Sequence, residues 1–86
     1  MPFVYILQNE QGKYYLGSTI NLEDRLEHHM GGYTPSTHRM GSLRLVFSQE
    51  YNILSDARSV EQKLKSLKRH DYIANIIKDG FIKIKP

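Results

Sequence analysis

FVYILQNEQGKYYLGST, residues 3–19, is the stretch that decides the fold. Two runs rich in strand-forming residues, Phe3 to Gln8 and Lys13 to Ser18, flank the turn residues Asn9-Glu10-Gln11-Gly12. That pattern marks a β-hairpin. Gly12, just before the return strand, fits a three-residue loop in which a type I turn is closed by a left-handed glycine. In that register Leu7 faces Tyr15 and Tyr5 faces Gly17. Tyr5 and Tyr15 then share one face as diagonal neighbours, within reach of each other's side chains. A loop one residue longer would put them on opposite faces, because side chains alternate with a period of two.

Downstream of the hairpin, Asn21 followed by Leu22-Glu23-Asp24 reads as a helix start: a capping side chain, then acids where the helix dipole favours them. This helix is expected to stop at Gly31-Gly32. Leu22, Arg25, Leu26 and His29 fall at i, i+3, i+4 and i+7, so an arginine and a histidine share the apolar stripe. Tyr33 to Ser42 reads as a loop. LRLVFSQEY, residues 43–51, is a third strand with Leu43, Leu45 and Phe47 alternating against polar residues. A second helix is expected from Asp56 to about Lys68 with Ser55 as cap, its stripe Ala57, Val60, Leu64 and Leu67. Glu61 sits beside that stripe. A third helix, Asp71 to Asp79, is capped by Gly80, and the tail FIKIKP alternates like a short strand or packs down. The order β-β-α-β-α-α describes one α+β domain over residues 1–86, a three-stranded, mostly antiparallel sheet flanked by helices.

Totals narrow the function classes. Eighty-six residues leave room for a single modest core. The absence of cysteine excludes disulfide frameworks, thiolate metal sites and cysteine nucleophiles, and fits a reducing cytoplasm. No apolar run approaches the ~20 residues of a membrane span, and MPFVYIL lacks the basic start and cleavage site of a signal peptide. Charge is uneven: residues 57–86 hold eight basic and three acidic side chains, residues 1–56 four basic and six acidic. A basic last third suits a polyanion, though a solvated lysine-rich surface explains it as well.

Taken singly, the unusual residues have ordinary explanations. Tyr5 and Tyr15 suit half-buried strand positions. Arg25 can lay its stem on apolar surface and keep its head in water. A histidine is tolerated near a helix C-terminus. Glu61 can pair with Lys65 at i+4 for only ~0.2–0.5 kcal/mol. Together they form a chemical set. Hydrolysis of a phosphodiester by water needs a base, a cation for the charge on phosphorus-bound oxygens, and help for the leaving oxygen. A phenol is a weak base until a neighbouring cation lowers its pKa. Arginine supplies a permanent planar cation, histidine a proton carrier near neutral pH, and a lone carboxylate an anchor for Mg²⁺.

In that order along the chain, FVYIL, YYLGST, NLEDRLEHH and SVEQKLKSLKR resemble the GIY-YIG nuclease domain. More narrowly, the chain is similar to small bacterial single-domain members related to the N-terminal module of the excision-repair nuclease. The resemblance covers roughly Pro2 to Ile77. It implies a β-β-α-β-α(-α) core and cleavage of DNA with a divalent metal. Val4-Tyr5 matches part of the first family motif and Tyr15-Leu16-Gly17 the second. Arg25 matches the catalytic arginine, His29 a histidine that some members carry one turn later, and Glu61 the metal-binding glutamate. Phe3 stands where the first motif has glycine, Leu16 replaces isoleucine, and Ser18 stands where some repair members place lysine. Asn75 is the nearest counterpart of an asparagine used by some members.

The resemblance leads to the expectation of a Mg²⁺- or Mn²⁺-dependent endonuclease of DNA repair or recombination, with one ion on Glu61. Its DNA specificity is expected to be low or structural, for branches, flaps or ends. Which tyrosine deprotonates water stays open; the favoured assignment makes Tyr5 the base helped by His29, Tyr15 the positioner of water and substrate, and Arg25 the stabiliser of charge. Gly17 would let a nucleic-acid backbone approach. Ser18, Thr19, Thr37, His38, Arg39, Lys65, Lys68 and Arg69 are candidate nucleic-acid contacts. The competing expectations are a binding module of the same fold that cuts weakly, and a scaffold that recruits a protein partner through its last helix and tail. Neither accounts for a carboxylate, which repels phosphate unless a metal intervenes.

Overall fold

The computed structural model describes residues 1–30 and 43–86, with the backbone alone at His29 and Met30. Its elements are β1 (Phe3–Asn9), β2 (Tyr14–Thr19), α1 (Leu22–Met30), β3 (Leu43–Glu50), α2 (Leu54–Leu67) and α3 (His70–Asp79). The hairpin loop is organised by one buried side chain: Asn9 Oδ1 accepts from the N–H groups of Gln11 (3.0 Å) and Lys13 (2.8 Å). Gly12 closes the turn at φ 84°, in the left-handed region where glycine has no steric penalty. The resulting register is the expected one, with Leu7 opposite Tyr15 and Tyr5 opposite Gly17.

β1 is the central strand of the order β2-β1-β3, and both of its ladders are antiparallel. Being covered on both faces, it reads as a continuous apolar run rather than an alternating one. Val4, Tyr5, Ile6 and Leu7 are all fully buried, and each such side chain contributes about 1.5–3 kcal/mol before conformational entropy is subtracted. Val4 and Ile6 face one way, onto Ala57, Val60 and Leu64 of α2 and Ile73 and Ile76 of α3. Tyr5 and Leu7 face the other way, where the Tyr5 hydroxyl meets Arg25 of α1.

Two expectations are corrected. β3 does not keep simple alternation: Ile6 pairs with Phe47 but Leu7 pairs with Leu45, so Val46 is an extra, bulged residue. The bulge puts both Val46 and Phe47 against the core and leaves Leu45 38 % exposed. Ser55 is not a cap; α2 begins one residue earlier, Ile53 stands at the cap position without a side-chain bond, and its carbonyl accepts from Asp56 and Ala57. Of the two readings of the tail, the structure bears out the second: it packs down and forms no strand. Instead the Ile82 N–H donates to Gln49 Oε1 (2.8 Å), Lys63 Nζ donates to the Lys85 carbonyl (2.9 Å), and Ile82 and Ile84 pack on the core. α1 starts as the sequence indicates, with Asn21 Oδ1 accepting from the Asp24 N–H at 3.2 Å. α3 ends at Gly80 with φ 85°. Its expected stop for α1, Gly31-Gly32, lies outside the described residues, and among those described no helix is long and apolar enough to cross a membrane.

Candidate active site

Tyr5 projects from the centre of the sheet, and its ring lies across Gly17 on the neighbouring strand. A Cβ placed on Gly17 would overlap the Tyr5 hydroxyl and ring carbons. The glycine therefore makes room for a phenol of its own chain, which corrects the expectation that it admits a nucleic-acid backbone. Lying over β2, the ring carries its hydroxyl to the outer edge of the sheet. There the Arg25 Nε, from the first turns of α1, donates to it at 3.3 Å. This arginine also lines a shallow cleft of about 190 Å³ with Thr19, Asn21, Asp24 and His28.

Glu61 comes from the opposite face. It is carried by α2 to the same edge strand, where Ser18 Oγ donates to its Oε1 at 2.5 Å. Its second oxygen takes Lys65 Nζ at 2.6 Å, with Glu61 16 % and Lys65 52 % exposed. A partly screened i,i+4 pair of that kind is worth about 0.3–0.5 kcal/mol, too little to hold the carboxylate against a divalent ion. The donor chemistry fits such an ion: a carboxylate and an adjacent hydroxyl are hard oxygen ligands, and Mg²⁺ usually keeps several waters beside one or two carboxylates. Among the described residues no group of three or more His, Cys, Asp or Glu side chains forms a full protein cage.

The electrostatics couple these groups. Burial pushes the Tyr5 phenol above its ordinary pKa of 10, and the Arg25 hydrogen bond and charge, which act to lower it, do not prevail. The negative charge of Glu61 raises it further. Arg25 is held even more firmly protonated, first by its bond to Tyr5 and also by the charge of Glu61. The raised pKa favours the protonated form of the buried Tyr5 phenol. Tyr15, on the same face and half-buried, is the more accessible of the two.

Other candidates divide. Thr19 spends its hydroxyl on the turn into α1, donating to the Asn21 carbonyl and accepting from the Asn21 N–H, both at 3.2 Å. Arg69 is clamped by Asp71 at 2.6 Å. Lys68 has no ion pair among the described residues. Asn75 opens into a different cleft, of about 170 Å³, with Tyr72, Phe81 and Lys83, so it does not join the site. The His29 side chain and Thr37, His38 and Arg39 lie outside the described residues. Sequence reasoning missed the contact between Ser18 and Glu61. It also missed Tyr14, whose ring stacks on His70 with centroids 4.5 Å apart. The adjacent tyrosines were the available signal: strand alternation must send Tyr14 and Tyr15 to opposite faces.

A model of the GIY-YIG catalytic domain matches residues 1–73, spanning the whole sheet, α1, α2 and the start of α3. The chain belongs to the GIY-YIG family. Tyr5, Tyr15, Arg25 and Glu61 all lie inside the matched region. GIY-YIG domains are nucleases, hydrolases of phosphodiester bonds that in general depend on a divalent metal. Neither curated proteins nor solved structures contain a match to this chain.

Proposed function

We propose that this GIY-YIG chain is an endonuclease that hydrolyses DNA phosphodiester bonds with one Mg²⁺ or Mn²⁺ ion, with low sequence specificity, in repair or recombination. The observation that carries the reading is the arrangement of Arg25: its Nε is anchored by the Tyr5 hydroxyl, and the charge of Glu61 acts on both. With Nε so engaged, the rest of the guanidinium fork is left to meet the non-bridging oxygens of a phosphate, which favours the transition state over the ground state. Glu61, with Ser18 beside it, would hold the metal. Such an ion would supply charge neutralisation at the phosphate and make water a better nucleophile. Water oxygen forms the new P–O bond, a bridging P–O bond breaks, and the departing oxygen takes a proton. In this reading Tyr5 positions Arg25, and Tyr15 orients and deprotonates the water.

The role exchange has a measurable consequence. Tyr15→Phe is expected to lower kcat by about 10²–10⁴, the usual worth of a general base. Tyr5→Phe, which only loosens Arg25, is expected to lower it by at most about 10², the scale of a small misplacement. Steady-state kinetics on a nicked-plasmid assay ranks the two. If Tyr5→Phe proves the more damaging, the buried phenol is the base after all.

The function itself is tested with purified protein and a panel of single-stranded, duplex and branched DNA and of RNA, in Mg²⁺, Mn²⁺ or EDTA. Nicking of DNA with either metal and none in EDTA is the expected result. Binding without cleavage under every divalent ion would transfer the chain to the second reading, a weakly catalytic nucleic-acid-binding module. That reading draws its support from the Lys65 and Ser18 contacts, which already satisfy both Glu61 oxygens.

A further inference from the structure

α2 runs alongside β2 in the opposite sense, so that Ser18 meets Glu61 at one end and Tyr14 meets His70 at the other. Between them lies a groove of about 370 Å³. Its floor is apolar, from Leu16, Leu64 and Ile73, and its walls are Lys13, Tyr14, Lys65, Lys68, Arg69 and His70. Lys65 belongs both to the groove and, through its ion pair, to Glu61. The groove thus leads away from the carboxylate for about two turns of α2, roughly 10 Å at 1.5 Å per residue.

We infer that this groove binds the single-stranded DNA segment flanking the scissile phosphate, with His70 as a base-stacking platform and Lys13 and Lys68 as phosphate contacts. The inference rests on the nuclease reading for the identity of the polyanion. Three features of the groove carry the rest. First, His70 is exposed yet fixed: its Nε2 lies 3.0 Å from the Gly12 carbonyl, which can only accept, so the ring donates there. One ring face rests on Tyr14, leaving the other to solvent. A rigid, half-covered aromatic plane is what a base stacks on without regard to sequence. Second, Arg69 is neutralised by Asp71 and Lys65 by Glu61, whereas Lys13 and Lys68 have no acidic partner among the described residues. Their charge is available to phosphate. Third, Lys68 stands at the left-handed C-terminal position of α2, φ 50°, where glycine would sit without strain. The lysine side chain is present despite a backbone penalty.

A stacking platform takes an unpaired base, which selects a strand over a duplex. The groove volume of about 370 Å³ accommodates a nucleotide unit.

Fluorescence anisotropy with labelled oligo(dT), in EDTA so that nothing is cut, tests the groove apart from cleavage. Wild-type protein is expected to bind oligo(dT) more tightly than duplex of equal length. His70→Ala should weaken binding about 10-fold, within the range of one stacked base, and His70→Phe should restore it. Lys68→Gly separates binding from folding: it removes a charge and relieves the backbone, so Tm should hold or rise while affinity falls several-fold. Lys13→Gln with Lys68→Gly should also reduce the slope of log Kd against log salt by about 1.4, about 0.7 per phosphate contact on a single strand. Wild-type affinity in folded His70→Ala and Lys68→Gly would overturn the groove. If those variants bind normally and still nick DNA with metal, the groove falls and the nuclease reading stands. If wild-type protein neither binds nor cuts, both fall.

Discussion

Gly17→Ala is expected to cost this domain about 3 kcal/mol of stability, the upper part of the range for forcing atoms into a packed interior. The new methyl group would occupy the space of the Tyr5 ring and hydroxyl. Tyr5 is fully buried, held between Arg25 and the sheet, and has no open direction in which to swing. At about 4–8 °C per kcal/mol for a domain of 60–100 residues, Tm should fall by on the order of 10–20 °C in thermal unfolding followed by circular dichroism. The cause is separable from a generic loss of glycine. Shortening the opposing side chain with Tyr5→Leu is destabilising alone, but combined with Gly17→Ala it vacates the contested volume. The double variant should be more stable than the two single effects summed, by about 1–3 kcal/mol, the usual coupling of residues in contact. A Gly17→Ala protein that melts with the wild type would remove the ring from that position. The Tyr5–Arg25 contact would go with it.

The residues that specify the hairpin do so locally, which is why its register was legible. Asn9 and Gly12 act within their own turn, and Asn21 caps the helix that follows immediately. The apolar runs likewise place Val4 and Ile6 in the core whatever packs on them. What could not be read depends on partners distant in the chain. Nothing around Val46 signals a bulge, no glycine or turn residue among them, because the bulge is set by how β3 must phase against β1. The purpose of Gly17 is written in Tyr5, twelve residues earlier, and emerges only once the strands are paired. Ser18 looked like a hydroxyl for phosphate and instead meets a carboxylate 43 residues away. The direction of the Tyr5 shift was out of reach of the sequence for a related reason. A guanidinium nearby is visible in a motif, but the depth at which the phenol is buried is not, and burial is the larger influence. The candidate site is therefore legible as a set of residue types, while the contacts among them are a property of packing.

Glu61→Gln should carry the largest functional effect, because it changes one charge and little else. Glutamine keeps the shape of glutamate and can still accept from Ser18 Oγ through its carbonyl oxygen. The ion pair with Lys65 is lost, at about 0.3–0.5 kcal/mol, so Tm should stay within a few degrees of wild type. Cleavage should nevertheless fall by about 10³ or more. Lewis-acid stabilisation of transition-state charge is worth several kcal/mol, and each 1.4 kcal/mol is a factor of ten. Raising Mn²⁺ should recover part of the loss if the anchor is weakened rather than removed. The sign of the phenol shift makes this variant more than a routine knockout. Glu61 raises the pKa of Tyr5, so neutralising it lowers that pKa and makes the phenol a better source of phenolate. Were phenol ionisation the limiting demand on the site, Glu61→Gln would be faster than wild type at neutral pH. A large loss in a protein with native circular dichroism places the need for the carboxylate in metal binding, against the gain in phenol acidity. A rate equal to or above wild type would mean that Glu61 serves only Ser18 and Lys65, as an element of the fold.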